Sequence, residues 1–478
     1  MDDQITTVRR AIYDRIINVA NNLENDRLGN YEVELDSILT YLTQVSYHED
    51  VNHVIQLCLN ALELLMNVND INTASSSQLP VEQLITISPG GRGRPFIHIS
   101  VEVLEFFIEN GFTIKNMSSL LSVSEKTIKN RMSEFGLSVR QTYTKLSDEE
   151  LMAFVRRKIN EFPSIGYRSM RGHLWADGIK VTETRVRSIM KAVDPLGVLV
   201  RNALCSTYRI RRRAYSVRVP KALWHVDSNH KLIRWRFIFH GGIDGYSRLP
   251  VYIMVASDNT AETAYTAFRS GTDKYGIPER VRTDKGMENI RIAEFMLELE
   301  KHGLNSGSHI TGRSVHNQRI ERFWRELWDG CTKTYYEFFS RMEDDGLLDV
   351  DNEVHLLVLH VVFLRRMQSS IDQFVDAVSR RPLRTEHNRT PLQLWISGQL
   401  EDRNHHENLS AEDLELYGVD FDCNEPVCDN PDIVVHPLLE LNPDLITDIR
   451  RMADRTIESP FEVQTFIDIL TYLSNSIQ

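Results

Sequence analysis

Between Leu223 and Trp328 the apolar residues switch between a two-residue and a helical period in a fixed order, and this order limits the folds open to the chain. Trp224-His-Val-Asp-Ser-Asn-His-Lys-Leu232 alternates, as a strand with one buried face does. Phe237 to Asp244 and Pro250 to Val255 are apolar runs of strand length. Thr260 to Tyr275, rich in Ala and Thr, reads as a helix. Arg280 to Asp284 reads as a short strand closed by Lys285-Gly286, and Ile290 to His302 as an amphipathic helix. Ser308 to Thr311 is another short strand, and a helix runs from His316 through Trp328. Three antiparallel strands followed by helix, strand, helix, strand and helix describe an α/β layer with its first strand at the centre.

That order is RNase H-like, and it gives three acidic residues a meaning. Asp227 lies in the middle of the first strand, Asp284 at the end of the fourth, and Glu321 one turn into the last helix, with 36 residues between it and Asp284. Phosphoryl transfer between phosphodiesters uses two divalent cations roughly 3.5–4 Å apart, one at the attacking and one at the leaving oxygen. Three converging carboxylates supply one bridging ligand and one more for each ion. Mg²⁺, or Mn²⁺, suits such a set because it keeps several waters. Asn317 and Gln318 precede Glu321 by four and three positions, so the three share a helix face that Arg325 continues. Ile320, Phe323, Leu327 and Trp328 are expected to form the buried stripe of the same helix.

Other residues compete for these roles. Asp244 and Asp258 also lie near strand ends, and Glu288 follows Asp284 by four positions. Asp244 stands before Gly-Tyr-Ser and is expected to cap that turn. Of His225, His230 and His316, the last stands beside Asn317 at the helix start and is the best candidate for a supporting role.

Upstream of this layer the charge is basic. The chain carries a net charge of −12, yet Pro89 to Pro220 holds 23 Lys and Arg against 12 Asp and Glu, whereas the stretch from Glu401 to the end holds 4 against 18. A basic surface for a polyanion and an acidic tail follow from that separation. Pro89-Gly-Gly-Arg-Gly-Arg-Pro95 contains Arg92 and Arg94 in an AT-hook-like order, suited to a narrow minor groove; a basic lead into the next helix is the other reading. Residues 100 to 138 read as a helix-turn-helix. Ser100 caps a helix with Val103, Leu104, Phe107 and Ile108 on one face, and Ser124 caps a helix that presents Lys126, Lys129 and Arg131 as a recognition helix would. Plain three-helix packing is the alternative. A second unit opens on the capping box Ser147-Asp-Glu-Glu150 and ends in a helix carrying Arg185 and Arg187. Tyr208-Arg-Ile-Arg-Arg-Arg-Ala214 has charges of one sign only, so Arg211, Arg212 and Arg213 read as a phosphate-tracking arm.

The ends of the chain carry no visible chemistry. Residues 1 to about 70 show helical periodicity, and the acidic tail is a candidate surface for a protein partner. Cys58, Cys205, Cys331, Cys423 and Cys428 form no disulfide framework, which suits a reducing setting, and no His pair stands at zinc-finger spacing. The longest apolar run, Val354 to Leu364, is broken by His355 and His360 and suits a buried helix rather than a membrane span. The expected organisation is therefore a helical region and linker over 1–88, a helix-turn-helix over 89–143, a second over 144–195 and a basic linker over 196–222. The α/β core follows over 223–340, then a helical extension over 341–400 and an acidic, mostly helical region over 401–478.

Trp224-His-Val-Asp227, Gly242-Ile-Asp-Gly-Tyr-Ser-Arg248, Arg282-Thr-Asp284-Lys-Gly286 and His316-Asn-Gln-Arg-Ile-Glu-Arg-Phe-Trp324 resemble the integrase core domain shared by retroviral integrases and integrase-like transposases. The resemblance runs from about residue 90 to 400. Within it, Pro382 to Trp395 and the Gly-Arg-Pro lead resemble a eukaryotic, mobile-element-derived group. It implies metal ligation by Asp227, Asp284 and Glu321, two Mg²⁺ or Mn²⁺ ions, duplex DNA as substrate, a dimer or higher assembly, and work in the nucleus. The His-His-Cys-Cys zinc module of retroviral integrases is absent, which leaves end recognition to the helix-turn-helix units. Three functions follow: an active DNA integrase or transposase, a host-adopted DNA-binding regulator with a silent site, or a nuclease acting on RNA–DNA hybrids.

Overall fold

The computed structural model describes residues 85–88, 96–206, 217–284, 286–301, 307–311, 317–401, 417, 438–439, 442–454 and 460–476. Arg92, Arg94, Arg211, Arg212, Arg213, His316, Cys423, Cys428 and the helices expected before residue 70 lie outside the described residues. The chain divides into Met1–Leu79 and Pro80–Gln478, and every described residue belongs to the second unit.

A two-stranded hairpin of β1 (Ile85–Ser88) and β2 (Phe96–Ile99) opens this unit. Three helices come next: α1 (Val101–Glu109), α2 (Ile114–Leu120) and α3 (Glu125–Glu134). Each begins where a hydroxyl satisfies an open amide. Ser100, Thr113 and Ser124 accept from Val103, Asn116 and Thr127. The second helical group contains α4 (Asp148–Glu161), α5 (Tyr167–Ala176) and α6 (Glu183–Val193), and the Ser147–Glu150 capping box is formed in both directions. Beyond it, Pro195–Ser206 is a helix, α7, where the sequence read as linker; proline at its first turn lacks only an amide that would be open anyway.

The sheet has the order β5-β4-β3-β6-β7. Strands β3 (Trp224–Leu232), β4 (Phe237–Asp244) and β5 (Pro250–Ala256) form an antiparallel meander. The helix α8 (Ala261–Tyr275) then crosses over, so that β6 (Val281–Thr283) lies parallel to β3, and α9 (Ile290–Lys301) returns the chain to β7 (His309–Thr311), parallel to β6. This is the expected order with β3 central, an RNase H-like arrangement.

Alternation along the strands divides the core. Trp224, Val226, Val251 and Tyr252 pack with Ala267, Phe268, Ile292 and Met296 under α8 and α9. Phe237, Phe239, Ile243 and Ile253 face the other side, where α10 (Gln318–Leu327) contributes Ile320, Phe323, Trp324 and Leu327. α10 does not stop at Trp328: a π-helical segment, Trp328–Thr332, carries it into α11 (Lys333–Asp344). The long helix α12 (Glu353–Ser379) lies against β5, where Gln368 bonds the backbone of Val255 and Ile253. After α13 (Pro391–Glu401), the acidic region supplies α14 (Pro443–Ala453) and α15 (Gln464–Ser476). Their Ile449, Phe466, Ile469 and Leu473 are buried in the same core as α12. α5 also joins that core, because Gly172 brings its backbone against Ala377 of α12 with no room for a Cβ. Among the described residues, no helix is long and apolar enough to cross a membrane.

Candidate active site

Asp227 projects from the central strand on the α10 side and is paired across the ladder with Gly241 of β4. The glycine has a local reason. A Cβ at position 241 would overlap the Trp324 indole and the Ile253 side chain, so its absence lets the indole lie against the strand. From there Trp324 Nε1 donates to Asp227 Oδ2 over 2.8 Å.

The start of α10 is tied to the same strand. Asn317, buried at 1% exposure, donates from Nδ2 to the Val226 carbonyl at 2.6 Å, and its Oδ1 lies 2.8 Å from His225 Nδ1. With the amide nitrogen engaged, the oxygen accepts and His225 Nδ1 holds the proton. Burial depresses the His225 pKa to about 3, with Arg282 and Arg319 adding to the effect against the pull of Asn317. The histidine is thus a neutral peg. Glu321, half-buried in the first turn of α10, lies between the two attachments, four residues after Asn317 and three before Trp324.

Asp284 follows β6, the parallel neighbour of β3. Its Oδ1 accepts from the Gly286 amide at 3.1 Å and from Asn289 Nδ2 at 2.9 Å, which holds the carboxylate at the turn. The three acids share one electrostatic field. Burial, then the negative charges of Glu321 and Asp284, push the Asp227 carboxyl well above the usual carboxylate range, with the Trp324 bond acting in the opposite direction. Among the described residues, no three His, Cys, Asp or Glu side chains form a ready ligand set around one point. In chemistry the donors suit a hard divalent ion: they are carboxylate oxygens, and their mutual repulsion at Asp227 is what a cation relieves.

Asp244 is occupied elsewhere. It accepts from the amide and hydroxyl of Ser247 at 2.7 and 2.6 Å and from the Lys221 amide at 2.9 Å, which is the turn-capping role expected of it. Asp258 accepts from the Thr260 amide and the Thr263 hydroxyl at the start of α8. Burial lowers the pKa of His230, against the opposing pull of the Asp284 charge. Arg325 is exposed near the end of α10, and the side chain of Gln318 lies outside the described residues. Asn317 is buried at the start of α10, in the attachment to β3. Trp324 and Gly241 were missed in the sequence. The signal for Trp324 was a second tryptophan beside Phe323, one position outside the assumed stripe.

The basic residues divide into two groups. Lys126 and Lys129 are exposed on α3, and Arg187 is exposed on α6, stacked 4.3 Å from the Tyr167 ring centroid. Arg131, expected on the reading face of α3, is instead buried; its Nε donates to the Ile97 carbonyl at 3.2 Å and its guanidinium pairs with Glu134. It fastens the hairpin to α3. Arg185 turns back to Asp148 at 2.7 Å and to the Leu146 carbonyl, so its donors serve the α4–α6 contact.

Residues 214–409 match the family model described as integrase core domain. No curated protein sequence matches the chain. Two solved structures resemble parts of it. One is the HTLV-2 integrase catalytic core domain in complex with magnesium (trimeric form), at 15% identity and a TM-score of 0.25, covering 37% of this chain and 97% of that one. The other is the simian T-cell lymphotropic virus intasome in complex with the PP2A regulatory subunit B56 gamma, at 16% identity and a TM-score of 0.29, covering 55% and 80%. The fold assignment rests on the strand order and the family match, not on these two likenesses. Residues 214–409 thus match the integrase core domain, and the sheet within that stretch has the strand order of an RNase H-like fold.

Proposed function

We propose that the chain is a DNA integrase or transposase-like polynucleotidyl transferase in which Asp227, Asp284 and Glu321 hold two Mg²⁺ or Mn²⁺ ions. The observation that carries this reading is the double attachment of α10 to β3, through Asn317 and Trp324, which keeps Glu321 beside Asp227. Bound ions would activate the attacking oxygen and stabilise the leaving one. The protein's own groups do the rest. Trp324 fixes the orientation of the Asp227 carboxylate, Asn289 fixes that of Asp284, and the neutral His225 holds Asn317. Water, and then a DNA 3′-hydroxyl, would be the nucleophile in hydrolysis and strand transfer.

Duplex DNA is the proposed substrate, gripped by the exposed lysines of α3 and by Arg187 on α6. Synapsis of two DNA ends calls for a dimer or higher assembly, and a chromosomal target for work in the nucleus. The test is strand transfer by the purified full chain with Mg²⁺ or Mn²⁺. Asp284→Asn and Glu321→Gln are expected to abolish it while leaving DNA binding intact. Transfer that survives either substitution overturns the mechanism. Binding without transfer in the unaltered protein favours a host-adopted DNA-binding regulator, and a preference for RNA–DNA hybrid cleavage favours a ribonuclease.

A further inference from the structure

Away from the carboxylates, a cavity of about 150 Å³ opens between the end of the first helical unit and α5–α6. This is well below the roughly 300–1,000 Å³ of sites for drug-sized ligands, and leaves room for one planar ring system. Tyr143 and Trp175 line it together with Arg171, Lys180, Thr182 and Glu183. The Lys180 ammonium lies 5.8 Å from the Tyr143 ring centroid and 5.1 Å from that of Trp175, and donates to the Ile108 carbonyl at 3.3 Å. Arg171 meets Glu183 at 3.6 Å. Two cations therefore face one small space, and burial together with the Arg171 charge lowers the Lys180 pKa. The aromatic wall is already set in place. Gly111, at φ +75°, leaves a gap at the end of α1 that the Trp175 indole edge fills. Ordering that ring on ligand binding is therefore unnecessary.

Aromatic faces beside paired cations recognise an unstacked nucleotide, the base on the ring and the phosphate on the charges. We propose that this cavity receives the base of a single unpaired deoxynucleotide of the bound DNA, its sugar and phosphate remaining at the mouth, with Glu183 accepting from an exocyclic base amine. The proposal rests on the DNA-binding reading of the chain. A base held in a duplex is excluded by the size of the space, so the natural source is a strand overhang or an opened pair.

The test compares two probes on the full chain: a blunt duplex, and the same duplex with a short adenine overhang. Unaltered protein is expected to bind the overhang probe about fivefold more tightly or better, the effect of one stacked base. Tyr143→Ala, at a position 40% exposed and so tolerant of truncation, and Lys180→Gln should each erase that preference while leaving blunt-duplex affinity unchanged. Glu183→Gln should remove discrimination between adenine and thymine overhangs. Equal affinity for both probes, or a preference that survives Tyr143→Ala and Lys180→Gln, overturns the cavity assignment alone. Failure to bind either probe overturns the DNA-binding reading and this proposal with it.

Discussion

Trp324 of α10 and Asp227 of β3, 97 residues apart in sequence, are joined by a 2.8 Å hydrogen bond whose donor ring occupies the space left by Gly241. Helix, carboxylate and glycine form one assembly, and each part can be altered separately.

Trp324→Phe keeps the ring and removes the donor. Partners that orient metal-binding carboxylates typically contribute 10–100-fold in metal affinity or activity. The variant should fold, while strand transfer at limiting Mg²⁺ falls about 10–100-fold and is partly restored at high Mg²⁺. Titration of activity against Mg²⁺ for both proteins checks this.

Gly241→Ala attacks the same contact from the strand. The new methyl overlaps both Trp324 and Ile253, and overpacking of this kind costs about 1–3 kcal/mol. Denaturant unfolding should show the loss, and a double variant with Trp324→Phe should relieve part of it, because the indole Cη2 and Cζ2 that meet the methyl are gone while the Ile253 contact remains.

His360 predicts acid sensitivity far from the site. It is buried, stacks 4.0 Å from Phe237 and lies 2.8 Å from the Trp235 carbonyl through Nε2, and burial lowers its pKa to about 4. The unfolded chain takes up this proton near pH 6.5 and the folded chain only near 4. Stability is therefore complete above pH 6.5 and declines as pH falls towards 4, by up to about 3 kcal/mol from this group. Buried His173, lowered to about 3, acts in the same direction. Urea midpoints at pH 7 and pH 5 should differ less in His360→Gln than in the unaltered protein.

The C-terminal helices are structural. Phe466 is fully buried against the α12 core, and truncation of such a residue costs about 3–5 kcal/mol. Phe466→Ala should lower the melting temperature of the integrase core itself. A tail that served only as a partner surface would instead leave the melting temperature unchanged.

On α3, neighbouring cations should behave differently. Lys126→Ala and Lys129→Ala should each weaken DNA binding across sequences and flatten its salt dependence by about one phosphate contact. Arg131→Ala should instead lower stability, because it leaves the Ile97 carbonyl and Glu134 without their buried partner. Salt-dependent binding isotherms and thermal melts separate the two outcomes.

The strand order could be read from the sequence because alternation and turn residues are local signals. The caps at Ser100, Ser124 and Ser147 were legible for the same reason. That Asp227, Asp284 and Glu321 come close enough to act on one another could be expected from the motifs around them. What stayed hidden depends on distant partners. Arg131 is committed to a carbonyl 34 residues earlier, which no helix pattern reveals. The aromatic stripe of α10 was assigned to Trp328, yet a π-helical segment begins there and turns the face, leaving Trp324 buried and Trp328 only partly so. The apolar run Phe466 to Leu473 in the acidic region is visible in the sequence, but its packing partner, α12 about a hundred residues earlier, is not.

The absence of a side chain at Gly172 lets α5 rest directly on the Ala377 backbone of α12, the helix that also backs the sheet. Such a contact has no flexible side chains to absorb sliding, so the neighbouring α6 and the strand bearing Asp227 are carried on a common frame. On the proposed function, a duplex held at α6 would meet the carboxylates at a set number of base pairs from its anchor, so that the protein would gauge length along DNA.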